Sequence, residues 1–339
     1  MKVIFINIIS LFTFILFLQA CNKQATDVFV PNVIQLDTTW TNVDSTPVAT
    51  LTPPATPSII DSLSVGDDNH QSISEGDSIL LNFPQGGFLS STQPNSSIKS
   101  SSKIKVDITV IKTKGELIRR GMSTVSKNKQ ILAIADLIGL KLSYKGNPAF
   151  WNQPLQPIQV HIKDLKPNSS VRFIVPQPPV QGSPKDSIWG NSSSSPGSFF
   201  NTVSVYNNPA SGGNPKTTGY LYTTNNIGWF GGAVFIDSTL PKTRINVFLP
   251  ITFTNKNTTV FAVFDAQKTV LKLNPNPQGK SFSVANVPIN SKVTIVSISK
   301  SNGDSYLGTS SITAISTDPV KIVPIKKSMQ EINQYLNGL

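Results

Sequence analysis

The sequence holds one cysteine, Cys21, and two histidines, His70 and His161, in 339 residues. A lone thiol cannot close an internal disulfide, so the fold must rest on hydrophobic cores. Two histidines this far apart, with no second thiol, offer no zinc-ligand spacing and no cysteine–histidine nucleophile pair. Neither a GxSxG elbow, a P-loop nor an HExxH helix occurs. Charge is scarce too, at 14% of residues, and acids are the scarcer sign, 18 against 29 bases. Glycoside hydrolysis needs two facing carboxylates. The acids that could supply them in the body of the chain include Asp107, Glu116, Asp136 and Asp265, and no spacing pairs any two. No catalytic residue, metal or cofactor is expected. The rival expectation is a glycan-active hydrolase whose carboxylate pair the spacing does not reveal.

What the sequence does contain begins at its first residues. Lys2 precedes a nearly unbroken apolar run from Val3 to Leu18, and the small Ala20 stands directly before Cys21. A positive start, a short apolar core and a small residue at the cut make a secretory signal. The run falls short of the roughly 20 residues that a spanning helix needs. Its ending, Leu18-Gln19-Ala20-Cys21, resembles the lipobox of bacterial lipoproteins. That resemblance implies cleavage before Cys21, diacylglycerol on its sulfur and a fatty acyl chain such as palmitate on its new amine. It implies an outer-membrane address as well, because Asn22 stands where an inner-membrane protein often has aspartate. Several acyl chains, at roughly 0.8 kcal/mol per buried methylene, hold a protein on a bilayer where one would not.

Charge divides the mature chain unevenly. Residues 22–80 carry a net −7, and residues 81–339 carry +17. A basic body suits polyanions, and for an exported chain these are envelope glycans and lipid phosphates rather than nucleic acid. Residues 21–76 combine five prolines and seven acids, with an eighth acid at Asp77, and little apolar sequence, the composition of a disordered tether. Within it, Asp followed by Ser or Thr recurs. The triplets at Asp37-Thr38-Thr39, Asp44-Ser45-Thr46 and Asp61-Ser62-Leu63 resemble the acceptor of a bacterial O-glycosylation system, which makes Thr38, Ser45 and Ser62 the expected sugar sites.

Beyond residue 77 the hydropathy pattern is that of an all-β protein. Ile104, Val106, Ile108 and Val110 alternate with polar residues, and Ile158–Ile162 and Val171–Val175 do the same, as half-buried strands should. Ile131–Tyr144 reads as two strand segments joined at a bend near Asp136 or Gly139, and Gly115–Gly121 as a turn. The expected organisation is a signal over 1–20, a tether over 21–76, one β-sandwich over 77–178, a second over 179–324 and a C-terminal helix over 325–339. The run Gly115-Glu116-Leu117-Ile118 through Leu142 resembles the ZU5-like β-domains of bacterial lipoproteins. Gly228-Trp229-Phe230 and Val293–Val296 resemble the second module of such proteins, a family without an assigned function. In the last segment Ser328 and Glu331 make a capping box, Met329, Ile332 and Leu336 share a face, and Gly338 stops the helix.

The expected ligand-binding residues are Arg119 and Arg120, read as neighbouring guanidinium forks in an exposed turn, and Trp151 and Trp229, aromatic rings able to stack on sugars. Eleven bases against three acids over residues 99–145 place the positive charge in the same region. The resulting expectation is a non-enzymatic envelope lipoprotein, a binding or assembly component. Its partners would be the membrane, through Cys21, and envelope glycans or other outer-membrane proteins.

Overall fold

A computed structural model describes residues 40, 59–64, 71–75, 79–83, 88–90, 93–98, 102–126, 129–151, 158–163, 171–176, 188–190, 204–207, 218–224, 227–236, 239–314 and 319–339. Cys21, Thr38 and Ser45 lie outside the described residues, as does the signal. Trp40–Leu339 form one compact unit.

The chain is all-β. In order, β1 (Ile59–Ser64), β2 (Gln71–Glu75), β3 (Ile79–Phe83), β4 (Phe88–Ser90), β5 (Gln93–Ser97) and β6 (Lys103–Val110) lead to a short helix, α1 (Lys114–Arg119). Then come β7 (Val125–Ser126), β8 (Leu132–Tyr144), β9 (Asn147–Trp151), β10 (Ile158–Lys163), β11 (Arg172–Pro176), β12 (Ile188–Gly190), β13 (Ser204–Asn207), β14 (Thr218–Thr224) and β15 (Gly228–Phe235). The remainder runs β16 (Lys242–Phe248), β17 (Thr258–Phe264), β18 (Val270–Lys272), β19 (Asn274–Asn276), β20 (Ser281–Pro288), β21 (Ser291–Ser301), β22 (Asp304–Ala314), β23 (Val320–Lys321), β24 (Ile325–Lys326) and α2 (Met329–Asn337).

Two sheets enclose the first core. One is long and runs β5-β4-β9-β8-β15-β11-β12-β7, with β6 and then β1 added to β8; the other runs β13-β14-β10-β3-β2. Their inward residues, among them Leu81, Ile104, Val106, Ile138, Val160 and Phe230, form one buried cluster. Two further sheets, β19-β20-β16-β23 and β18-β17-β21-β22-β24, enclose a second core around Val247, Val260, Phe282 and Ile295.

A third cluster lies between the two sandwiches. The other face of β8 (Leu137) meets Leu117 and Ile118 of α1, Phe261 and Val263 of β17, and Ile332 and Leu336 of α2. Strand β17 is therefore buried on both faces along its whole length. That explains its apolar run from Val260 to Phe264, where a half-buried strand would alternate. Backbone hydrogen bonds tie the same joint: Thr124 N donates to Val270 O at 2.8 Å, and Ile134 N to Lys268 O at 3.0 Å.

Several expectations change. Strands β13, β14 and β15, assigned from sequence to the second sandwich, belong to the first: β15 pairs with β8 and β11, and β14 with β10. The boundary at 178/179 thus falls inside a sheet system. Residues 59–64 and 71–75, assigned to the tether, are strands paired with β6 and β3. Their serine-containing, half-polar sequences are carried by the apolar strands they pair with. Trp40 belongs to the body as well, its ring centroid 5.2 Å from that of Phe282 at the second core.

Residues 114–119 are helical, and not the expected turn. Thr113 accepts from Glu116 N, and the Glu116 carboxylate accepts from Lys112 N at 2.7 Å. Gly121 then leaves the helix at φ +64°. Strand β8 is one continuous strand, and the irregularity expected near Asp136 lies within it as a bulge: Gly232 pairs with Asp136 and Ala233 with Ile134, which leaves Ala135 as the extra residue.

Helix α2 begins with the expected capping box and buries Ile332 and Leu336, but it packs on α1 of the first sandwich as well as on the second. The helices approach so closely that a Cβ at Gly115 would run into the Leu336 carbonyl.

Candidate functional site

The outward face of the long sheet is covered by α1 and the second sandwich at one end and open at the other. At the open end β6 presents Lys105 and Asp107, and β8 presents Lys141 and Ser143, as the two-residue period requires. Antiparallel register sets Lys105 opposite Ser143 and Asp107 opposite Lys141.

These four side chains line an open groove of about 340 Å³, with Pro148 and Ala149 of β9 and Ile227 and Gly228 at its sides. Its rim is a tight hairpin between β8 and β9. Lys145 and Gly146 both have positive φ, +49° and +83°, the conformation of a two-residue turn matched to the twist of its strands.

Arg120 and Trp229 stand next along the same face. Trp229 pairs with Gly139 of β8, and a Cβ on that glycine would come within 2.9 Å of its ring. The Arg120 guanidinium lies over the ring, 5.1 Å from its centroid. Burial lowers the Arg120 pKa, while Glu116 and then Asp107 oppose that shift, so this arginine is within electrostatic reach of the groove's acid.

Arg119, its neighbour, points elsewhere. It is buried and donates to the Asn333 carbonyl at 3.1 Å and to the Asn337 side chain, tying α1 to α2. The two arginines therefore do not form the expected exposed pair, because a helical step sends successive side chains to different faces. Trp151 ends β9, opposite Phe88. Ser62 is exposed on β1, opposite Lys105, and its N–H donates to Asp61 at 2.7 Å.

The four candidate carboxylates have separate settings. Asp136 is buried, and Gly232 N donates to it at 2.9 Å, which holds the bulge. Glu116 is buried and secures the start of α1. Asp265 is exposed and accepts from Thr294 at 3.3 Å. Asp107 alone of the four lines the groove.

Lys268 lies near two of them: burial pulls its ammonium pKa down, and Asp136 and Glu116 pull it partly back. His161, in β10, is buried and hydrogen-bonded through Nε2 to the Asn82 side chain at 3.2 Å.

Lys105, Lys141 and Ser143 are the groove residues that the sequence reading did not single out. The signal for them was present in the alternation of β6, whose polar positions all share one face. The chain matches no protein-family model and no curated protein.

Proposed function

We propose that this protein is a non-enzymatic lipoprotein of the outer envelope, held through Cys21, whose groove binds an acidic glycan. The observation that carries the binding half is the groove itself. Two exposed lysines, Lys105 and Lys141, flank a shallow floor of small and apolar residues, with Arg120 nearby and Ser143 able to hydrogen-bond. Charge-assisted hydrogen bonds from such a set to carboxylate or phosphate are roughly twice as strong as neutral ones. The open shape suits a chain that lies across the sheet. Asp107 stands alone there among the four acids considered, which favours binding over two-carboxylate hydrolysis. The anchoring half rests on the Lys2 to Cys21 pattern.

The test is affinity for an acidic envelope polysaccharide, measured by calorimetry on the full chain. Reversing both lysines, Lys105→Glu with Lys141→Glu, is expected to weaken binding by about tenfold or more, roughly 1.4 kcal/mol or above. Both are exposed, so the thermal transition should stay in place. Unchanged affinity in the double variant would exclude the groove. Arg119→Ala is a poor probe of the same idea, because that side chain is built into the helix joint.

A further inference from the structure

We infer that one tip of the second sandwich is a membrane-docking surface that inserts apolar side chains among anionic lipid headgroups. Five large apolar side chains are exposed among the described residues, and four of them, Phe248, Ile251, Val323 and Ile325, gather at this tip. Strand β23 runs parallel to β16, with Phe248 opposite Lys321, so the segment 322–325 continues beside 249–252 toward the same end.

Alternation then sorts the side chains. Ile322 and Pro324 are buried, while Lys321, Val323 and Ile325 face out. Ile251 sits in the turn beyond β16 with 87% of its surface exposed, and Val323 is 72% exposed. Ile325 pairs with Leu307, and Phe253 meets Tyr306 edge-on at 5.2 Å, which brings the start of β22 to this tip.

The charges around these residues select the occupant. Lys256, Lys300 and Lys321 are exposed here, and Lys300 N donates to Asn257 O, so two of them adjoin. The acid on the β21–β22 hairpin, Asp304, is ion-paired with Lys326 at 2.7 Å. An apolar prominence ringed by lysines matches the boundary between acyl chains and anionic headgroups, where buried apolar area and electrostatic attraction add.

The placement of the chain agrees. Trp40 packs on Phe282, which lies opposite Val247, the neighbour of Phe248. Only 18 residues then lie between Cys21 and a fixed point on this sandwich, a span of at most about 65 Å. This last point rests on the lipoprotein reading; the composition of the tip does not.

The experiment uses the full chain with Cys21→Ser, which carries no acyl group, and vesicles of phosphatidylcholine with or without phosphatidylglycerol. Co-sedimentation should occur with the anionic vesicles and fall as salt is raised. It should drop by about tenfold or more in Ile251→Asp with Val323→Asp, and comparably in Lys300→Glu with Lys321→Glu. In Ile251→Trp, fluorescence should shift to the blue on adding anionic vesicles, relative to the unsubstituted chain.

No sedimentation above background, or sedimentation that ignores the apolar variants, would overturn the inference. So would a concentration-dependent dimer that the Ile251 and Val323 variants abolish without any vesicle binding, since the face would then belong to a second copy. Lipid labelling of Cys21 in the native chain is read separately, so failure of the anchor and failure of the tip are told apart.

Discussion

Arg119 and Arg120 are adjacent in sequence and opposite in role. Arg119 is buried in the joint, and its charged donors meet the Asn333 carbonyl and the Asn337 amide. Removing it leaves those acceptors without their donor, at about 2–4 kcal/mol for charge-assisted bonds in a buried setting. Arg120 contributes a cation–π contact to Trp229, worth about 1 kcal/mol. Urea denaturation should therefore show Arg119→Ala well below Arg120→Ala in midpoint, with similar slopes. Equal midpoints would remove the assignment of Arg119 to the helix joint. The pair was legible as a concentration of charge, but not as two roles. Telling them apart requires knowing that residues 114–119 form a helix, and Gly115 makes that stretch read as a turn. The remaining signal was Thr113 with Glu116 three residues on, a capping pattern that the intervening glycine obscures.

Helix α2 is the opposite case, an element whose instructions are nearly all local. Ser328, Glu331, Ile332, Leu336 and Gly338 give its cap, its buried face and its stop, and the structure uses each of them. Its carboxylate also predicts a pH response. Lys327, with the Ser328 N–H and hydroxyl, holds the Glu331 carboxyl at about 2, below the usual carboxylate range. A depressed pKa in the folded state contributes stability that is present above the unfolded value of about 4.3 and lost as pH falls toward 2. The difference in melting temperature between the wild type and Glu331→Gln should thus be largest near neutral pH and shrink from pH 5 to pH 2. A difference that stays constant over that window would show that the capping box is not the titrating element. Less local elements were less legible. The strand β1 carries Asp61, Ser62 and Ser64, and becomes a strand through β6, more than forty residues on. In β15 the pair Gly231-Gly232 reads as a break, yet those glycines let it lie against β8, where a Cβ at Gly231 would meet the Asp136 carbonyl.

Across the whole molecule, the all-β class follows from alternation, while the grouping of strands depends on pairings that alternation does not encode. Residues 77–178 look like a complete sandwich by pattern, but their sheets are finished by β14 and β15, and the outer face of β8 is covered by β17 and α2. A fragment ending at residue 178 should therefore stay unfolded, with no dispersed amide spectrum, whereas the chain from Trp40 onward should melt in a single cooperative transition. A folded fragment would reinstate the boundary at 178. The place of β13–β15 in the first sandwich, and the joint it shares with the second, also bear on inheritance. Recombination between genes preserves a fold when the crossover falls where few contacts span it; here a crossover near residue 178 would strip the first sandwich of β13–β15, and one between the sandwiches would part α1 and β8 from the β17 and α2 that cover them. The two sandwiches are not separable cassettes, so relatives of this chain should carry both or neither.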